Sequence, residues 1–373
     1  LLVALWSAVL ALGLPPPPVA GGALVWHAHE LLLGFGLAAV AGFVLTAVPE
    51  FTATASASPR TGRLLVLLWL LGRLGVWLSG AAGLPALALA ALAHLGLIGG
   101  LLILLLPALR TVAGRRQHAF GWALAALFLL AAGFYVDALR GQYPMRWLLA
   151  VLGLVMVLII VAMSRISMRI VNRSIDEAGE GGAPYLARPP KRNLAILCIV
   201  LFTLAEFWHP GGRVSGWLAC AAAAALCNLM GDWHVGRPLL RRWPFMLYAV
   251  YVCMALGYAL IGTALLAGGP GASAGRHLLT MGALGLSIYV VISIAGRAHC
   301  GHPSDERPWV VQGALLIGAG AMLRAGAAFA PEAATALLGM AGMCWVGSFG
   351  LMALRMLPVL WGPRPDGGRG CEG

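Results

Sequence analysis

The chain has 373 residues, 61% of them hydrophobic and only 10% charged, with a mean hydropathy of +0.89. A soluble fold of this length has too little interior to hide so much apolar surface, which excludes soluble enzymes and binding modules and makes a lipid bilayer the partner of nearly every span. The formal net charge of +12 does not indicate nucleic acid, because the arginines stand between apolar runs of span length and form no basic stripe interleaved with aromatics.

In chain order, Leu1 opens an apolar run to residue 14 with neither a methionine nor a charged leader, so this run reads as a first span cut short. Pro15 to Pro18 break it. The runs 24–48, 63–80, 84–107, 118–136 and 146–167 follow, each long enough for about 30 Å of hydrocarbon. A charged stretch, 168–192, carries Asp176, Glu177, Glu180, Arg188, Lys191 and Arg192 and divides the chain. Six more runs cover 193–208, 213–235, 243–266, 277–296, 308–329 and 332–357, before a tail at 358–373. The expected fold is therefore an all-α polytopic membrane bundle of about twelve transmembrane helices. It has two six-helix halves, 1–167 and 193–357, joined by a linker at 168–192. Arg146-Trp-Leu-Leu, with Leu152-Gly-Leu and Ser164-Arg165 after it, is echoed by Arg276-His-Leu-Leu, Leu284-Gly-Leu and Gly296-Arg297, as a duplicated unit would be. The seven cysteines form no CxxC pair, and most lie in apolar runs as small hydrophobes, so a disulfide framework is not expected.

Alternate loops share their positive charge very unequally. Nineteen lysines and arginines fall on one side, four (Arg140, Arg146, Arg213 and Arg276) on the other, and the remaining two, Arg73 and Arg324, lie inside spans. Such a bias places the rich side, and both termini, in the cytoplasm of a bacterium-like inner membrane.

Ionisable groups inside spans are costly, and so mark candidate sites. Depth sorts them: His27, His29, Glu30, Glu206, His209, His277 and Arg324 lie toward the outer face; His118, His234, His299 and His302 toward the inner; Arg73 and His94 near mid-depth. Imidazoles gathered on one side suit iron or copper. His27 and His29 point roughly 200° apart on a helix, so only one can face the bundle interior at that level. Mid-span, His94 reads first as an interhelical hydrogen bonder. Arg73 needs either a protein carboxylate or a cofactor propionate. His299-Cys-Gly-His302 is compact enough for a metal but sits in a cytoplasmic loop. Trp26, Trp208 and Trp217 fit an aromatic belt.

Trp26-His-Ala-His-Glu-Leu-Leu-Leu-Gly-Phe-Gly36, continued by Ala41-Gly-Phe-Val-Leu-Thr-Ala-Val-Pro49, resembles the signature of the NnrS family of bacterial membrane proteins. Lys191-Arg-Asn193 and His277-Leu-Leu-Thr-Met-Gly-Ala-Leu-Gly285, leading through Arg297 to Gly301-His302, agree with it. The matching polar positions are His27, His29, Glu30, His277 and His302. This chain departs at Glu50-Phe51, where the family has Asn-Trp, and at Ser164 to Met168, where the family's proline is missing. The resemblance implies haem b and copper and a role in the response to nitric oxide and nitrosative stress. In that picture His29 and His277 are the haem ligands and Glu30 or Arg73 supplies a counter-charge or proton relay. His27 or His209 serves copper. The activity implied is reduction, scavenging or sensing of a small nitrogen oxide, and reduction would make the chain an oxidoreductase with an electron donor as partner. The rival expectation is a twelve-span secondary carrier without a redox cofactor, binding substrate or protons through Arg73, His94 and Glu206.

Overall fold

The computed structural model describes residues 6, 9, 12–15, 17–111, 118–179 and 184–368, and among these no β-strand occurs. Among the described residues ten helices are long and apolar enough to cross a membrane. They are α1 (Gly22–Thr52), α2 (Pro59–Ala82), α3 (Leu84–Leu109), α4 (His118–Leu139), α5 (Met145–Ala178), α7 (Arg213–Trp233), α8 (Arg242–Ala267), α9 (Gly271–His299), α10 (Trp309–Gly326) and α11 (Pro331–Trp361). The seventh predicted span forms the 20-residue helix α6 (Pro189–Trp208), whose Lys191, Arg192 and Glu206 dilute its apolar character. The first predicted span, 1–14, falls largely outside the described residues. The chain is thus an all-α, multi-pass membrane protein.

The helix ends follow from local chemistry. α2 starts where Ser58 caps the Thr61 N–H at 3.2 Å and proline fills the first turn. α6 starts on Pro189 and Pro190, whose missing N–H groups would have no helical partner there. Gly83, at φ 62°, makes the sharp corner between α2 and α3. Neither α1 nor α9 is regular throughout. α1 widens to a π-helix over Glu30–Gly36, and α9 does so over Leu278–Gly285 and again over Ile292–Gly296.

Two compact units divide the described chain, the division falling within α5. In the first, Pro15–Val155, α2 packs along α3, α3 on α4, and the later part of α1 on α3. Gly75 lets α2 and α3 approach so closely that a Cβ there would meet the Ala86 carbonyl at 2.6 Å. Asp137 accepts from Arg146 at 2.9 Å and from the Trp147 indole at 2.7 Å, fastening the turn between α4 and α5. The second unit, Met156–Gly368 with Leu1–Leu14, holds α7 between α6 and α8, α8 against α9, and α10 along α11. Lys191, from one of the family-like stretches, pairs at 2.8 Å with buried Asp232 at the end of α7.

Candidate functional site

The first unit joins His29, Glu30, Arg73, His94 and Tyr135 into one network. His29 and Glu30 stand at the α-to-π junction of α1 and are 0% and 1% exposed. A buried carboxylate needs a partner, and Arg73 of α2 provides it, donating to Glu30 Oε2 from Nε at 2.8 Å and from Nη2 at 2.6 Å. Arg73 also lies 4.7 Å above the Trp69 ring. Trp69 donates its indole N–H to the Gly34 carbonyl at 2.8 Å, binding α2 to the π segment. Glu30 Oε1 accepts from His29 Nδ1 at 3.3 Å.

That contact sets the direction of the remaining bonds. With Nδ1–H of His29 donating to the carboxylate, Nε2 carries the lone pair and accepts the Tyr135 hydroxyl at 3.1 Å. The Tyr135 oxygen, its one proton used, accepts from His94 Nδ1 at 2.5 Å. A directed chain therefore runs from His94 through Tyr135 and His29 to Glu30 and Arg73, across α3, α4, α1 and α2. His94 Nε2 ends it with no hydrogen-bond partner among the described residues. Its ring lies against α2 at Gly72, where a Cβ would collide with His94 Cδ2 and Nε2. Phe134 stacks on His29, centroids 5.4 Å apart.

Of the residues singled out in the sequence, His29, Glu30 and Arg73 thus meet, and Arg73 takes the protein carboxylate of its two possible partners. His27 is only half-buried, while His29 faces the interior, as two positions 200° apart on a helix require. His94 is indeed an interhelical hydrogen bonder, though within the network. Tyr135 was not foreseen; a tyrosine inside a predicted span, whose hydroxyl must find a polar partner when buried, was the available signal.

In the second unit His277 ends the first α-helical stretch of α9, immediately before the π segment, the place His29 holds in α1. It is half-buried, and its Nδ1 donates to the Ser273 carbonyl at 2.8 Å. Neighbouring Arg276 reaches Glu206 at 3.5 Å, and Glu206 also accepts from the Gly211 N–H at 3.1 Å. His209 is exposed just beyond α6. At the far end of α9, Gly301 adopts φ 72° and the His302 N–H bonds back to the Arg297 carbonyl at 3.0 Å. Asp305 ties this loop together through Arg307 at 2.6 Å, the Trp309 indole at 3.0 Å and Arg297 at 3.4 Å. The Arg307 hydrogen bonds hold the Asp305 carboxyl well below the usual carboxylate range. Among the described residues no three His, Cys, Asp or Glu side chains gather around a point where one metal ion could sit.

The family model described as NnrS protein matches residues 1–364. The chain belongs to the NnrS family. No curated protein and no solved structure matches it. Two of the stretches that resemble the NnrS signature build the α-to-π junctions that follow His29 and His277, so the family's sequence pattern and the irregular backbone coincide there. π-Turns inside α-helices are often found at functional sites.

Proposed function

We propose that this NnrS-family chain is a haem-carrying protein of the bacterial inner membrane, both termini cytoplasmic, that handles nitric oxide or a related small nitrogen oxide. Family membership supports the nitric oxide setting, and the inequality of nineteen against four basic residues supports the orientation. One observation carries the haem reading. At two of the four family-matching histidines Nδ1 is held by an acceptor, Glu30 for His29 and the Ser273 carbonyl for His277, which directs the lone pair of each imidazole to Nε2. Metal-ligating histidines are oriented in this way. Imidazoles oriented in this way suit haem iron, and His29 and His277 are each a candidate to hold it, His29 by giving up the Tyr135 hydroxyl that its Nε2 accepts here. Bound haem would supply a redox-active iron that takes small nitrogen oxides. Nitric oxide, uncharged and lipid-soluble, needs no aqueous channel to reach a site within the spans.

Glu30 orients His29, and Arg73 is the counter-charge paired with Glu30. An electron donor enters if the activity is reduction. Copper has His27 and His209 as its candidates, and no step is assigned to it.

The visible spectrum of the purified protein tests this reading. The expected result is a Soret band that His29→Ala or His277→Ala each shifts or removes while membrane insertion persists. His94→Ala, two hydrogen bonds from His29, should shift it only slightly. A colourless protein from cells with ample haem would reject the proposal and favour the carrier.

A further inference from the structure

Lys191-Arg-Asn193, one of the stretches that match the family signature, takes no part in the haem reading, yet it borders a cleft within the second unit. Ser164 of α5, Tyr185 and Arg188 ahead of α6, Arg192 of α6, Asp232 of α7 and Tyr251 of α8 line it. The cleft holds about 210 Å³ of empty space up to its open mouth, below the roughly 300–1,000 Å³ of sites for drug-sized ligands, so it suits a small group. Its charge is positive. Buried Asp232 accepts from Lys191 at 2.8 Å and from the Arg188 backbone N–H at 3.3 Å, while the Arg188 guanidinium stands farther off, at 3.7 Å. Arg192 shares the helical stripe of buried Ala195 and Ile199, and among the described residues it bonds the neutral Asn193 side chain, at 3.0 Å, and no carboxylate. Three cations against one carboxylate leave two positive charges, both on arginines.

A second observation is independent of that charge. Tyr251 is 1% exposed, with its ring held 5.6 Å from that of Trp233, and its hydroxyl has no hydrogen-bond partner among the described residues. The other hydroxyls of the cleft are engaged, Tyr185 with the Ser167 hydroxyl at 3.2 Å and Ser164 with the Val161 carbonyl at 2.8 Å. A buried hydroxyl left without a partner is costly, and an acceptor oxygen entering the cleft would relieve it.

We infer that this cleft binds a phosphate group, presented by an anionic phospholipid of the leaflet at that end of the spans. Arg192 and Arg188 supply the cations that phosphate requires, and Tyr251 supplies a neutral donor. α6 begins at Pro189, so both arginines stand where the seventh predicted span leaves the hydrocarbon, at the level of the headgroups. Leu186 and Leu194 flank them with exposed apolar surface, which an acyl chain would cover and a free anion would not. Basic pockets between spans take anionic headgroups in this way. The inference is independent of the haem reading.

Phosphatidylglycerol and phosphatidylcholine with the same acyl chains are titrated into delipidated wild type, R192K, R192Q, Y251F and R60Q in detergent, and bound lipid is counted by native mass spectrometry. Wild type should prefer phosphatidylglycerol on the order of tenfold, a comparison that needs no variant to fold. R192Q should lose most of that preference and R192K part of it, while Y251F, short of one neutral hydrogen bond, should bind phosphatidylglycerol roughly twofold to tenfold more weakly. R60Q, which removes an exposed arginine at the start of α2, should bind as wild type does, and excess inorganic phosphate should displace little of the lipid. The inference is overturned if wild type binds both lipids equally, if R192Q or Y251F keeps wild-type affinity for phosphatidylglycerol, or if R192Q loses both lipids alike, as a damaged fold would. It is likewise overturned if R60Q weakens binding as much as R192Q, the outcome for a general attraction to basic surface, or if inorganic phosphate displaces the lipid in full, the outcome for a free-anion site.

Discussion

Glu30 has both carboxylate oxygens engaged inside the membrane, and this dictates how its neighbours respond to mutation. Arg73→Gln strands a buried charge and should cost about 3–5 kcal/mol, whereas removing both charges together with Glu30→Gln should cost clearly less than the sum of the singles. Unfolding of the four proteins in mild detergent measures this, and additivity would show that the pair does not act as one. Gly72 is constrained just as tightly, because His94 occupies the space of its missing Cβ. Gly72→Ala should destabilise by about 1–3 kcal/mol, and by much less when His94→Ala has already opened the space. An unchanged cost in that background would mean the clash is with something other than the ring. From the sequence, Glu30 and Arg73 could be recognised as needing partners, since hydrocarbon offers none. That they choose each other, and that Tyr135 joins His29 to His94, depends on residues 43, 106 and 41 positions apart, beyond the reach of any local pattern.

At the scale of elements, helices and their ends were legible because span length, proline and glycine act locally. The π stretches were not, because an α and a π turn bury nearly the same apolar residues and differ by one hydrogen-bond register. The loop after α9 shows what an acidic residue contributes to an element. Asp305 has a lowered pKa in the folded chain, so its stabilisation is fully present above the ordinary carboxylate range and is lost as pH falls through and below it. Hydrogen exchange of residues 300–308 should therefore be slow at neutral pH and accelerate in acid. Asp305→Asn should exchange quickly at both, and a variant as protected as wild type at neutral pH would show that the carboxylate does not hold the loop.

For the whole molecule, the positive-inside bias makes a direct statement about orientation. In a background without native cysteines, Asp176→Cys should react with an impermeant thiol reagent only from the cytoplasmic side and Ser273→Cys only from outside. Labelling of both from one face would require a different number of crossings between them. Apolar fraction, run length and the distribution of arginine made this chain a multi-pass helical membrane protein by sequence alone, since the bilayer's demand for internally satisfied backbone leaves apolar spans little choice but helix. The family signature likewise singled out His29, Glu30 and His277. Only the tertiary structure decided which side chains meet: Arg73 with Glu30, and His94 with Tyr135. The physical reason is that insertion is governed by each span's own composition, whereas the pairing of polar groups is fixed by how close small residues such as Gly72 and Gly75 let one helix come to the next.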